Sequence, residues 1–271
     1  MNDRICRIED IADERVALYT RYNEPQLLHY NEPDGGIFIA ETPMVIERAL
    51  AFGAKPLSFF IETGAAKSEA VSTILEKITD APIFEAELSV INKITGFNLT
   101  RGMLAAFERP DLPDARKMLS SGKFVAVLED IVNPTNVGAI FRSAAALGVD
   151  SILLTRGSSD PFYRRSARVS MGTVFMVPWT YIPGEADLAD LLHDHGYTVI
   201  SMEIAEGAVP LTDPVLKENA RRAVIFGAEG AGVSASTLQK SDHIAFIPMH
   251  NDVDSLNVAA ASAVTFWELC R

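Results

Sequence analysis

The chain alternates short, continuously apolar runs with longer stretches whose apolar residues recur every three or four positions. In its first part, IADERVALYTRY reads as a helix and GIFIAE as a strand. ETPMVIERALAFGAKP carries apolar residues at helical spacing and stops at Gly53, LSFFIE is a strand, and SEAVSTILEKIT is another helix. Beyond residue 120 come strand FVAVLE, helix VGAIFRSAAALG, strand SILLT, an arginine-bearing loop and the apolar run VFMVPW. Helix ADLADLLHDHG, strands TVISMEI and RAVIFG, the loop AEGAGVS, a short helix, strand HIAFIPM and helix SLNVAAASAVTFWELC follow. Strands that are apolar at every position, rather than at every second one, are buried on both faces, as in a parallel sheet covered by helices. The fold class expected from this pattern is α/β throughout.

The pattern is interrupted at ERPDLPDARKMLSSGK, residues 108 to 123, by two prolines, polar residues and a Ser-Ser-Gly close. That break predicts a small α/β domain over 1–108, a linker over 109–121 and a second domain over 122–271. At 271 residues, nearly half of them apolar, the chain is long enough for two cores. No apolar run reaches the roughly 18 to 20 residues a membrane span needs, and MNDRICRIEDIADER is charged where a signal peptide would be apolar. A cytoplasmic protein without a membrane partner is expected. Cys6 and Cys270 are too few and too far apart for a disulfide framework or a zinc site.

Charge narrows the partners. The net charge is −12, with 13 basic against 19 acidic residues in 1–120 and 11 against 17 in 121–271. Neither half is a basic arm, so nucleic-acid binding would need a local patch. One stretch qualifies: Arg142, Arg156, Arg164, Arg165 and Arg168 face only Asp150 and Asp160, and DPFYRRSARVS interleaves Phe162 and Tyr163 with the arginines. Such a stretch either contacts phosphate and stacks bases or is a solvated loop. Arg164, Arg165 and Arg168 are its candidate nucleic-acid-binding residues.

Three further stretches leave the carboxyl ends of strands, where open parallel sheets bind ligands: NPTNVG, GAEGAG and MHNDVDSLN. The glycines of GAEGAG let backbone approach a ligand, with Glu229 as its charged side chain. It does not form the G-x-G-x-x-G that opens a dinucleotide-binding helix, which disfavours a nicotinamide oxidoreductase. Ser255 is suited to capping the last helix, while Asn257 is a poor helix former unless its amide has a partner. His193 and His195, and His250, Asp252 and Asp254, lack the spaced partners of a metal site, and no metal is expected.

Taken in order, the motifs N-x-x-N-x-G-x-x-x-R, G-x-E-G-x-G, and I-P-M followed by S-L-N-V resemble those of the SpoU family, the TrmH-like branch of the SPOUT RNA methyltransferases. The matching residues are Asn133, Asn136, Gly138 and Arg142, then Gly227, Glu229, Gly230 and Gly232, then Ile247, Pro248, Met249, Ser255, Leu256, Asn257 and Val258. The likeness covers residues 122 to 271, including RVSMGTVFMVP. It implies an RNA 2′-O-ribose methyltransferase acting on tRNA or rRNA, S-adenosylmethionine as cofactor, a SPOUT-type parallel sheet with a C-terminal trefoil knot, and a homodimer.

By the same resemblance, Arg142, Asn136, Glu229, Ser255 and Asn257 are the catalytic candidates, and Gly227, Glu229, Gly230, Ile247, Met249, Ser255 and Leu256 the cofactor-binding ones. Arg142 would orient the phosphate beside the target ribose and stabilise a developing alkoxide; a guanidinium is a poor general base. A catalytically inactive RNA-binding protein on the same fold is the alternative. GIFIAETPMVIERALAFGAKPLSFFIE and GFNLTRGMLAAFERP give residues 1 to 108 a looser likeness to an L30e-like substrate-binding domain. Many members carry Gly shortly after I-P-M, where this chain has Met249-His250-Asn251; Asn tolerates a positive φ nearly as Gly does.

Overall fold

A computed structural model describes residues 5–32, 35–78, 80–95, 102–184, 186–251 and 253–270. GFNLTR, residues 96 to 101, lies outside the described residues. Contacts divide the chain into two units: Met1–Asp111 with Phe162–Phe175, and Leu112–Pro161 with Met176–Arg271.

In the first unit, strands β1 (Ile5–Arg7), β2 (Ile37–Glu41), β3 (Pro56–Glu62), β4 (Ile83–Ala86) and β5 (Met103–Glu108) form a sheet in the order β1-β4-β3-β5-β2. β5 runs antiparallel to both β2 and β3, while β4 is parallel to β1 and β3. Helices α1 (Ala17–Thr20), α2 (Glu24–Leu28), α3 (Pro43–Ala51), α4 (Glu69–Glu76) and α5 (Leu88–Thr95) lie between strands. Gly53 takes φ +94° just after α3, the left-handed stop a glycine supplies without strain. Inside the sheet, the Tyr19 hydroxyl donates to the Ser58 carbonyl at 2.8 Å and accepts the Ala106 N–H at 3.1 Å. A buried phenol is tolerated because both hydrogen-bonding capacities are met, and burial raises its pKa.

The second unit opens with α6 (Ala115–Ser121), inside the segment expected as a linker. The helix is capped by Asp114 and buries Ala115 and Leu119 in the core with Val125, Val127 and Val199, so it is part of the domain. The chain continues through β6 (Phe124–Leu128), α7 (Pro134–Leu147) and β7 (Ser151–Leu154). Residues Phe162–Phe175, with α8 (Arg164–Val169), then join the first unit. The second unit resumes with β8 (Trp179–Tyr181), α9 (Leu188–Asp194), β9 (Thr198–Met202), β10 (Val209–Pro210), β11 (Arg222–Phe226), α10 (Ala235–Lys240), β12 (His243–Phe246) and α11 (Val258–Leu269).

Its seven strands form a sheet in the order β10-β12-β9-β11-β6-β7-β8, every pair parallel. β6 and β7 are buried at every residue, as continuously apolar strands require. α7 starts at Pro134 behind the Asn133 cap and stops at Gly148, φ +87°, and its alanines allow α11 to pack against it. No helix among the described residues is long and apolar enough to cross a membrane.

The excursion Phe162–Phe175 is held by aromatic stacking and charge. Phe162 is fully buried, with its ring centroid 5.1 Å from that of Phe38 and 5.2 Å from that of Phe175. Burying one such ring contributes about 1.5–3 kcal/mol. One expectation changes here: the arginine stretch is a helix rather than a loop. The apolar run VFMVPW starts within a 3-10 turn over Thr173–Phe175 and ends at Trp179, where β8 begins.

Candidate functional site

Parallel strands bring their carboxyl ends to one edge, and register decides which ends are neighbours. Met202 of β9 lies beside Phe226 of β11 on one side and Ala245 of β12 on the other. The loops that follow these three strands, together with residues Ser255–Val258 and Ala261, enclose a cavity of about 490 Å³.

The loop after β11 is closed on itself: the Ala228 N–H donates to Gly232 at 3.1 Å and the Gly232 N–H returns to Ala228 at 2.8 Å. Gly230 (φ +87°) and Gly232 (φ +70°) occupy the left-handed region. A Cβ on Gly227 would stand 2.1 Å from the Gly232 carbonyl carbon, and one on Gly232 would stand 2.1 Å from Glu203 Oε2. Gly227 faces main chain and has no room for a side chain, whereas a side chain at Gly232 would strain the left-handed backbone and displace the Glu203 carboxylate. Glu203 braces the loop from β9, its Oε2 accepting the Val233 N–H at 3.1 Å and its Oε1 the Ile204 N–H at 2.9 Å. Past the loop, Ser234 caps α10 while Glu129, following β6, accepts the Ser234 N–H at 3.1 Å and the Thr237 hydroxyl at 2.8 Å.

The last helix departs from expectation at its first turn. Asn257, not Ser255, is the cap: its Oδ1 accepts the Ala259 N–H at 3.0 Å, and the helix begins at Val258. Asn, like Ser, presents a side-chain oxygen to the first turn, and the chain from Ser255 to Asn257 is irregular and exposed at the cavity. The Asn257 amide also donates to Asn136 Oδ1 at 3.3 Å, which ties α11 to the start of α7. Asn136 is buried, and its Nδ2 has no partner among the described residues. Asn251 takes φ +59°, the conformation for which Asn substitutes for Gly.

Of the residues singled out in the sequence, Gly227, Glu229, Gly230, Ile247, Met249, Ser255 and Leu256 all line this one cavity, as does Asn257. Asn136 adjoins it through its bond to Asn257. Arg142 is exposed on α7 and does not line the cavity. Arg164, Arg165 and Arg168 belong to the first unit. There Arg168 Nη1 lies 3.3 Å from Glu41 Oε1, and Arg164 Nε lies 4.0 Å from Glu41 Oε2, Glu41 being 1% exposed. Met202, Glu203 and Ile204 also line the cavity and were missed. The strand TVISMEI ends there, but only the strand order places that end beside GAEGAG.

The charge of the lining is one-sided. Among the residues that form it, Glu203 and Glu229 are the charged side chains, and none is basic. Apolar side chains and backbone make up most of the rest, the usual composition of a small-molecule site. Such a lining suits a ligand that carries positive charge and opposes one that carries phosphates.

Residues 123–267 match the model of the SpoU rRNA Methylase family. An uncharacterized tRNA/rRNA methyltransferase of Mycobacterium bovis is 36% identical over 236 residues, covering 87% of this chain and 81% of that protein. The 23S rRNA (guanosine(2553)-2′-O)-methyltransferase RlmP of Bacillus subtilis is 30% identical over 151 residues, 56% of this chain and 59% of its own. Among solved structures, the SpoU methyltransferase AviRb from Streptomyces viridochromogenes in complex with AdoMet superposes with a TM-score of 0.81 at 19% identity, over 95% of this chain and 97% of that one. At that identity the superposition shows a shared fold.

Proposed function

The chain belongs to the SpoU rRNA methylase family, and on that premise we propose that it transfers a methyl group from S-adenosylmethionine to a ribose 2′-hydroxyl of tRNA or rRNA. The observation that carries this reading is the cavity: a nucleoside-sized space whose charged side chains are both carboxylates, against a cofactor that is a cation without phosphates. When bound, S-adenosylmethionine supplies an electrophilic methyl group on a sulfonium centre.

The chain's own residues do the rest. Ile247, Met249 and Leu256 offer apolar surface to an adenine ring, and the backbone of Gly227 to Gly230 offers polar groups to its edge. Asn136 and Asn257, joined at 3.3 Å, hold the loop entering α11 against α7. Arg142, exposed on the same α7, is available to the phosphate beside the target ribose. A 2′-hydroxyl becomes a competent nucleophile as its proton leaves, and a guanidinium nearby stabilises the negative charge that develops. Arg142 acts in this way rather than as a base.

Several finer parts of the reading rest on family membership: a C-terminal trefoil knot, action in the cytoplasm, selection of RNA by the first, L30e-like unit, and a homodimer. The homodimer has support in the exposure of Val264 (41%) and Trp267 (55%) on α11, three residues apart on one helix face.

Mapping 2′-O-methyl sites across total RNA with and without the protein tests the activity and identifies the nucleotide. On that RNA, Arg142→Ala should lower turnover about a hundred- to thousandfold. Cofactor affinity by calorimetry and the dimer by light scattering should be unchanged. Near-normal turnover of the variant would leave Arg142 without a role in the transfer, whereas the absence of any 2′-O-methyl site that depends on the protein would favour the reading of an inactive RNA-binding protein.

A further inference from the structure

Resting on the S-adenosylmethionine reading, we propose that Glu203 is a specificity-determining residue of the cavity: its negative charge makes the site prefer the cationic cofactor to the neutral S-adenosylhomocysteine left after transfer.

Glu203 immediately follows β9, a strand that belongs to none of the three motifs. It lines the cavity together with Glu229 and no basic side chain. Its carboxylate is fixed, not free: one oxygen accepts the Val233 N–H at 3.1 Å and the other the Ile204 N–H at 2.9 Å. Gly232 has no Cβ, and one built there would fall 2.1 Å from Glu203 Oε2, so the loop backbone and the carboxylate share that space. Two N–H groups converging on two oxygens need a group that only accepts. Ionised Glu does this, whereas Gln has one accepting oxygen and turns a donor toward the second N–H. A brace alone would need only one acceptor facing the loop, but the geometry fixes a full charge at the cavity wall.

The two ligands isolate that charge. S-adenosylmethionine and S-adenosylhomocysteine share their adenosine and amino-acid parts and differ by the methyl group and the charge on sulfur. Any contact Glu203 makes to the shared parts, and any bracing of the loop, alters both affinities alike. The field of the carboxylate at the sulfur alters their ratio. A site that favours the cation in this way releases the spent cofactor once its charge is gone.

The experiment is calorimetry of the full chain with each ligand, for wild type, Glu203→Gln and Glu203→Asp, with folding checked by circular dichroism. Glu203→Gln should lower the affinity ratio of S-adenosylmethionine to S-adenosylhomocysteine roughly three- to tenfold, the scale of one charge acting through a solvent-accessible site. Glu203→Asp keeps the charge but is one methylene too short to reach both N–H groups, so both ligands should weaken together with the ratio kept. Raising salt from about 0.05 to 0.5 M should shrink the wild-type ratio, because screening weakens the field and spares the packing.

A ratio unchanged within twofold in Glu203→Gln would reduce Glu203 to a brace and overturn the proposal. If that variant does not fold, a wild-type ratio insensitive to salt overturns it equally. Failure of the wild-type chain to bind either ligand would instead sink the S-adenosylmethionine reading on which the proposal rests.

Discussion

The loop Gly227–Gly232 and the helix α8 were both marked in the sequence by unusual composition, yet they came to different ends. Every residue singled out in the loop lines one cavity. In α8, Arg168 and Arg164 turn to a carboxylate, that of Glu41, 127 residues away from Arg168. A glycine states a local constraint: it marks where backbone must pass without a side chain, and that holds whatever surrounds it. An arginine states only that it needs a counter-charge. Phosphate and a buried glutamate satisfy it equally, and which of them is present depends on contacts remote in sequence.

Removing the arginine should show the largest effect. Arg168→Ala would leave Glu41, 1% exposed, without its closest cation, with Arg164 still 4.0 Å away. An uncompensated buried charge costs about 3–5 kcal/mol, and with Arg164 retained the loss should fall below that range, at about 1–3 kcal/mol. Calorimetric melting should register the loss, and adding Glu41→Gln should restore a good part of it because the stranded charge is gone. Were Arg168 a phosphate contact alone, RNA affinity would fall with no change in melting.

An effect no larger is expected on the other side of the comparison. Gly227→Ala places a methyl group against the backbone of Gly232 and Val233, at 2.1 and 2.2 Å. The neighbours are main chain and cannot rotate away, so the loop must shift, at about 1–3 kcal/mol for forced overpacking. Cofactor affinity measured by calorimetry should drop roughly five- to a hundredfold, with melting of the first unit untouched. Affinity equal to wild type would mean that the loop geometry is not what the cavity uses.

Asn251 sharpens the backbone argument at the smallest scale. At φ +59°, Asn251→Gly should be neutral or slightly favourable, and Asn251→Ala should cost about 1 kcal/mol, because Ala has no side-chain oxygen to stabilise the left-handed turn. Equal stability of the two variants in chemical denaturation would remove the conformational reason for Asn at this position.

The apolar strands of the second unit, the glycine stops at Gly53 and Gly148 and the glycine-dense loop were legible because each depends on near neighbours along the chain, whereas β1, α2, β4, α5 and β5 of the first unit were not read from the sequence. Besides the arginine stretch, read as a loop and found as α8, two local readings missed. Ser255 and Asn257 are both competent caps, and the choice fell to Asn257, whose amide also reaches Asn136 across α7. The segment 109–121 looked like a linker from its prolines and polar residues, but Ala115 and Leu119 found a core to enter.

By itself, then, the amino-acid sequence determined where backbone turns, which runs are buried on both faces and which residue types sit at strand ends, since these follow from sterics and hydrophobic periodicity within a few residues. The tertiary structure alone decided that β9 lies between β11 and β12, which brings Glu203 to the cavity wall, and that Phe162–Phe175 stacks on Phe38 of the first unit. Both outcomes are pairings between distant segments, set by register, shape and charge balance summed over many contacts, and no local pattern encodes such a sum.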